Sequence, residues 1–256
     1  MRSFLAFFKK ELLENIRSGR LWLLGILFLL FGIMNPAIAK LTPRLMELLS
    51  ESMAESGMTV TAVTVDAMAS WVQFFKNVPM ALIVVLLLFS NTFTKELEHG
   101  TLIPLLTKGL PRYKVVMAKA LILLLVWTGD YLLCFGVTYG YNDYFWDNSI
   151  VDSLPEAAAF WWLFGVWTIC LTVLFSAIAK AHSAVLLGVG GCVLVSYLLQ
   201  QLPKLRHHMP TSLMNSGALT TGADQPDQYL WAVLLVALSS ILCVTASVLI
   251  MDRREI

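Results

Sequence analysis

The sequence predicts an all-α integral membrane protein of six transmembrane helices, with an amphipathic helix before the first and a short apolar helix in the loop between the second and third. Two observations carry this. Apolar residues make up 58% of the chain and charged residues 14%, with a mean hydropathy of +0.74, well outside the usual range for soluble domains. The apolar residues also fall in blocks. Uncharged stretches of about 18 residues or more, enough to cross a ~30 Å hydrocarbon layer as helix, run from Leu21 to Ala39, Asn77 to Thr94, Ala157 to Ala179, Ser183 to Pro203 and Gln228 to Met251. A sixth, Tyr113 to Tyr139, is apolar apart from Lys114, Lys119 and Asp130. These blocks are too long for barrel strands, and in lipid the backbone must then satisfy itself as helix. The spans are placed at about 21–40, 71–94, 113–139, 157–179, 183–203 and 228–251, in one transmembrane domain covering 1–256.

Taken in order, Met1 to Arg20 puts Phe4, Phe8, Leu12 and Ile16 on one helical face, with Leu5 and Leu13 beside them and Lys9, Lys10, Glu14 and Arg17 mostly elsewhere. That pattern suits a helix lying in the membrane interface, an elbow before the first span; the plainer alternative is a basic topogenic segment. Lys9, Lys10, Glu11 and Glu14 break what would be the apolar core of a signal peptide, so the segment is expected to be retained. After the first span, Thr42 reads as an N-cap with Pro43 at the first helical position and Gly57 as a stop, giving a short surface helix.

Charge sets the expected orientation. Of the 18 lysines and arginines, Lys40, Arg44, Lys76, Lys204 and Arg206 fall on the side opposite the termini and all others on the terminal side. The termini are therefore expected in the cytoplasm, in a cytoplasmic (inner) membrane. The loop Gln201 to Gln228, with Pro203, Pro210, Gly217, Gly222 and Pro226, permits short re-entrant or surface helices but no long one.

Polar residues inside the spans carry further expectations. Lys76 and Asp130 both fall in the outer half of the membrane, where charge is costly unless paired or watered; a Lys76–Asp130 pair is one reading and substrate contact another. The fifth helix repeats Ala184, Gly188, Cys192 and Ser196 on one face, a stripe that permits close helix contact within the chain, across a dimer or along a pore. Trp71, Trp161, Trp162 and Trp231 fall near outer ends and Trp22 near an inner end, as interfacial anchors would. Cys134, Cys170, Cys192 and Cys243 lie in spans without metal-ligand spacing, and adjacent His207 and His208 project apart, so no metal site is expected.

The loop between the second and third spans is the most distinctive stretch. Gly100 can end the preceding helix, Thr101 can cap a new one and Pro104 falls in its first turn. Leu102, Ile103, Leu105 and Leu106 would cover such a helix, between Glu96, Glu98 and His99 on one side and Lys108, Arg112 and Lys114 on the other. An apolar helix held at the surface by flanking charge suggests docking; burial of its leucines in lipid is the alternative.

Residues 95–119, KELEHGTLIPLLTKGLPRYKVVMAK, resemble the signature of type-2 ABC transporter permeases, the fold of type V ABC exporters. Glu96, Glu98, Gly100, Thr101, Leu102, Leu105, Leu106, Arg112 and Lys119 occur in the family's order, with Gly109, Leu110 and Pro111 where the family commonly has a proline and a small residue. FKKELLENIRSGRLW, residues 8–22, resembles the family's elbow helix, and LIMDRREI its short basic tail. The resemblance implies a permease whose elbow (Lys9, Lys10, Glu11, Glu14, Arg17) and coupling helix fit a separate ABC ATPase, in a homodimer or with a homologous second permease, surrounded by lipid and with no nucleic-acid partner. ATP and magnesium would bind the ATPase and no cofactor this chain. The chain contains no G-x-x-x-x-G-K-[ST] phosphate loop, so no ATPase activity of its own is expected. Two other functions are alternatives. A non-transporting membrane anchor or sensor would use the same loop to regulate an ATPase; an intramembrane hydrolase lacks Gly-x-Ser-Gly, H-E-x-x-H and paired intramembrane acids.

Overall fold

A computed structural model describes residues 2–54, 65–98, 107 and 109–254. Among these residues the regular structure is entirely helical, and six helices are long and apolar enough to cross a membrane. In chain order the α-helices are α1 (Arg2–Arg17), α2 (Arg20–Ala54), α3 (Ala67–Phe89), α4 (Thr94–Glu98), α5 (Arg112–Phe145), α6 (Leu154–Ile178), α7 (His182–Gln200) and α8 (Leu230–Arg253). The 3-10 segments are Asn148–Ile150, Pro210–Thr221 and Pro226–Tyr229.

The first connection is a tight turn. Gly19 takes a φ of +76°, which a side chain would disfavour, and so lets α1 turn directly into α2. The expected surface helix at Thr42 does not exist as a separate element: α2 runs through both Pro36 and Pro43 for 35 residues, about 52 Å at 1.5 Å per residue. Thr42 does not cap it, since its hydroxyl donates back to the Ile38 carbonyl at 2.8 Å. Prolines remove single backbone donors, and a long span tolerates that loss where side chains and neighbouring helices compensate. α3 begins earlier than the apolar block does, because Asp66 caps it and accepts from the Ala69 N–H, as an N-cap carboxylate should. α5 likewise outruns its apolar block, reaching Phe145.

The helices form two interlocked groups. α2 packs against α3 and α5, α6 packs against α8 and the Pro210–Thr221 segment, and α5 joins the two. A neutral polar ladder crosses the first group: the Asn77 amide donates to Asn35 Oδ1 at 2.7 Å, Asn35 donates to the Thr138 hydroxyl at 3.1 Å, and Thr138 donates to the Gly32 carbonyl at 3.2 Å. Each of the three side chains is buried, so the ladder satisfies groups that would be costly to leave alone.

Between α5 and α6 the linkage is aromatic. Trp127 Nε1 donates to the Trp162 carbonyl, Trp162 Nε1 to the Thr128 hydroxyl and the Tyr131 hydroxyl to the Ala158 carbonyl. Two tryptophans expected at the interface are instead core. Trp71 and Trp161 are fully enclosed, their indoles donating to Asn148 Oδ1 and the Met214 carbonyl; a buried indole needs such a partner. Trp22 and Trp231 are largely exposed, as anchors require.

The loop after α7 folds back on the bundle. Pro210–Thr221 buries Thr211, Ser212, Leu213, Ser216, Leu219 and Thr220, and Ser216 donates to the Ala157 carbonyl at 2.8 Å. Ser196 of α7 shares a hydrogen bond with Thr211 at 3.0 Å. Of the small-residue stripe, Gly188 meets Phe175 of α6, whose ring occupies the space a Cβ would need, while Ala184 is exposed and Cys192 half-buried. The stripe thus makes contacts within the chain at Gly188 and Ser196. All four cysteines are free thiols.

Candidate functional site: an ionic knot at the terminal end

The terminal end of the bundle is held by charge. Lys119, two turns into α5, is 4% exposed, and an ammonium at that depth requires partners. It finds two: Glu11 Oε2 of α1 at 2.7 Å and Glu96 Oε2 of α4 at 3.1 Å. Lys10 closes the cluster from the solvent side, 2.7 Å from Glu11, 2.9 Å from Glu14 and 3.7 Å from Glu96. Three elements far apart in sequence thus meet at one point: the elbow, the short helix ending at Glu98, and the first turns of α5.

This arrangement decides which face of α1 turns inward. The buried residues of the elbow are Phe7, Glu11 and Asn15, spaced one turn apart, rather than the Phe4–Phe8–Leu12–Ile16 face its apolar pattern suggested. Phe4, Phe8 and Leu12 are half-buried, and Leu5, Leu13 and Ile16 stay exposed, available to lipid. Burial pushes the Glu11 carboxyl upward, but Lys119 and Lys10 outweigh it and hold the group below its ordinary value. Lys10 shows the mirror image: burial works against its charge, yet its bonds to Glu11 and Glu14 raise it. Lys9 and Arg17 are exposed.

A second clasp stands beside the knot. The Arg112 guanidinium donates to the carbonyls of Met251 at 2.9 Å and Asp252 at 3.2 Å, and also to that of Arg254. These are orphan acceptors at the end of α8, which a cation neutralises well. Arg254 in turn donates to the Ala177 carbonyl near the end of α6 at 2.7 Å. Arg112, which the motif assigned to docking, therefore faces the last helix rather than open solvent.

Of the other residues singled out in the loop, Glu96 is in the knot. Gly100, Thr101, Leu102, Leu105 and Leu106 lie outside the described residues, as does the side chain of Glu98. The intramembrane charges do not pair: Lys76 is exposed, and Asp130 Oδ2 is buried without a hydrogen-bond partner. They sit on different helices, and no ion pair joins them among the described residues. Among these residues there is also no group of three or more His, Cys, Asp or Glu able to hold a metal.

The loop motif contains Lys119 but does not indicate its partners, Glu11 and Glu96. A lysine seven residues into an apolar span has to be neutralised, and Glu11 lies on the Phe7–Asn15 stripe of the helix that precedes the spans.

A membrane bundle whose elbow and second-helix terminus are fastened to its third span has the layout of a permease domain. Residues 5–250 match the family model described as ABC-2 family transporter protein, and the chain belongs to that family. It is a multi-pass membrane component of a transport system. No curated protein matches it at significant similarity.

Proposed function

We propose that this chain is the permease subunit of an ATP-driven exporter, powered by a separate ABC ATPase that binds ATP and magnesium and docks on the elbow and on the loop that follows Glu98. The observation that carries the reading is the Glu11–Lys119–Glu96 knot. It makes one mechanical body of the elbow, the chain entering the loop and the base of α5, so a push at the loop is delivered to three elements together. The Arg112 clasp extends the same body to α8 and, through Arg254, to α6. Both features belong at the end that carries most of the lysines and arginines, which supports cytoplasmic termini in an inner membrane. A second permease copy or homologue completes the translocation path.

The test is co-purification with a candidate ABC ATPase, followed by ATP turnover and flux in vesicles. Glu98→Lys combined with Leu105→Asp is expected to abolish permease-dependent stimulation while leaving the protein inserted. Unchanged turnover overturns docking through this loop. Stimulated turnover without ATP-dependent flux would assign the chain to regulation of the ATPase instead of transport.

A further inference from the structure

We infer that the end of the bundle opposite the termini binds a phospholipid, with one acyl chain in a groove between α3 and α7 and an amine-bearing phosphate headgroup in a polar basin beyond it. The inference goes beyond the ATPase reading and does not require it.

The groove has a volume of about 480 Å³ and is walled by Ile83 and Leu87 of α3 and by Val189, Gly190 and Val193 of α7. Past the end of α7 lie two cavities of about 390 and 590 Å³ that share Gln200, Arg206, His207 and Asn215. Groove and basin are contiguous. Tyr197 lines both, and Met214 of the groove is followed in the chain by Asn215 of the basin. Volumes of this size are those of ligand pockets, and the change from apolar to polar lining occurs within one turn of helix.

The basin has the chemistry of a receptor and an unfilled requirement. Gln200 is 6% exposed, and its Oε1 is buried with no hydrogen-bond partner among the described residues, a costly state for an acceptor. Arg206 offers a guanidinium, the group best shaped for phosphate, beside His207. Asp224 is positioned by the Tyr229 hydroxyl at 2.7 Å and supplies the opposite sign for an ammonium. A headgroup carrying phosphate and amine meets both charges and offers donors to Gln200. A soluble zwitterion would leave the groove empty, and a plain hydrocarbon would leave the basin unmet.

The experiment measures retention of radiolabelled lysophosphatidylethanolamine by the purified full chain in non-ionic detergent, without nucleotide. Arg206→Glu and Gly190→Phe are each expected to lower it by about tenfold or more, the loss of one charge-assisted hydrogen bond or of the chain's space. Both variants should fold, because Arg206 is exposed and nothing lies within 4 Å of a Cβ at Gly190; an unchanged elution volume checks this. Lysophosphatidylglycerol is expected to bind more weakly, and equal binding would overturn the assignment of the amine. Monoacylglycerol held as well as the phospholipid would reduce the site to an apolar crevice, and O-phosphoethanolamine held as well would make it a soluble-ligand site. Either result overturns the proposal, as does wild-type retention in both variants. So does loss of a dimer in Gly190→Phe with lipid retention intact, which would seat a second copy of the chain in the groove.

Discussion

Lys119 and Glu11 are joined at 2.7 Å although 108 residues separate them in the chain. Both side chains are almost wholly enclosed, at 4% and 6% exposure, so the bond is not the solvent-screened kind that contributes little. Its value lies in what happens when one partner is lost.

Lys119→Met is therefore expected to leave two enclosed carboxylates facing each other and to destabilise the protein by about 3–5 kcal/mol, read as a fall in the apparent Tm of the detergent-solubilised chain. Combining it with Glu11→Leu and Glu96→Leu should restore most of that loss, because a buried ionic cluster replaced entire by apolar groups is often tolerated. A triple variant no more stable than the single one would show that the cluster does not act through charge.

The pH dependence of the elbow follows from the same groups. Glu11 is held below its ordinary 4.5, so its contribution is present above that value and disappears as pH falls through the lower folded-state value. Lys10 is raised above its ordinary 10.5, so its contribution is complete below that value and disappears as pH rises through the higher one. Protease protection of α1 should then be flat between about pH 5 and pH 10 and weaken on both sides. A transition near neutrality would contradict this.

Asp130→Asn is expected to leave thermal stability unchanged or slightly raised. Among the described residues the carboxylate has no ionic partner and one unsatisfied buried oxygen, so neutralising it removes a desolvation cost. A Tm drop equivalent to more than about 1 kcal/mol would reveal a pairing absent from this structure.

Two glycines on α7 provide a matched comparison. A side chain at Gly188 collides with the Phe175 ring, whereas Gly190 opens onto free space. Gly188→Leu should cost about 1–3 kcal/mol through overpacking, and Gly190→Leu should be nearly neutral or stabilising through helix propensity. Thermal unfolding of the two variants side by side checks the direction.

The six spans were legible because hydrocarbon imposes a length and a composition on each, and that signal needs no knowledge of neighbours. Boundaries were legible only where they coincided with a change in polarity. α2 continues past Pro43, although proline and a preceding threonine are a sound helix-start signal, because nothing in the local sequence says whether a helix is already running. Position along a span gives the depth of Trp71 and Trp161 but cannot distinguish an outward ring from an inward one; only the partners Asn148 and Met214 settle that. Of the loop motif, Glu96 and Lys119 are joined in the knot, while Gly100 to Leu106 lie outside the described residues. The inward turn of Glu11 was not readable from hydrophobic periodicity, because the elbow buries a carboxylate in preference to a leucine, a choice dictated by an ammonium 108 residues downstream.

The order of synthesis gives the knot a direction in time. Glu11 and Glu96 leave the ribosome before Lys119, so until α5 begins to enter the bilayer two acids await a counter-charge that has not yet been made. Insertion of the third span delivers the missing cation and draws the N-terminal segment onto the bundle. The carbonyls of Met251 and Asp252 at the end of α8 then close on Arg112, so the base of the bundle is locked only after the sixth span has been made.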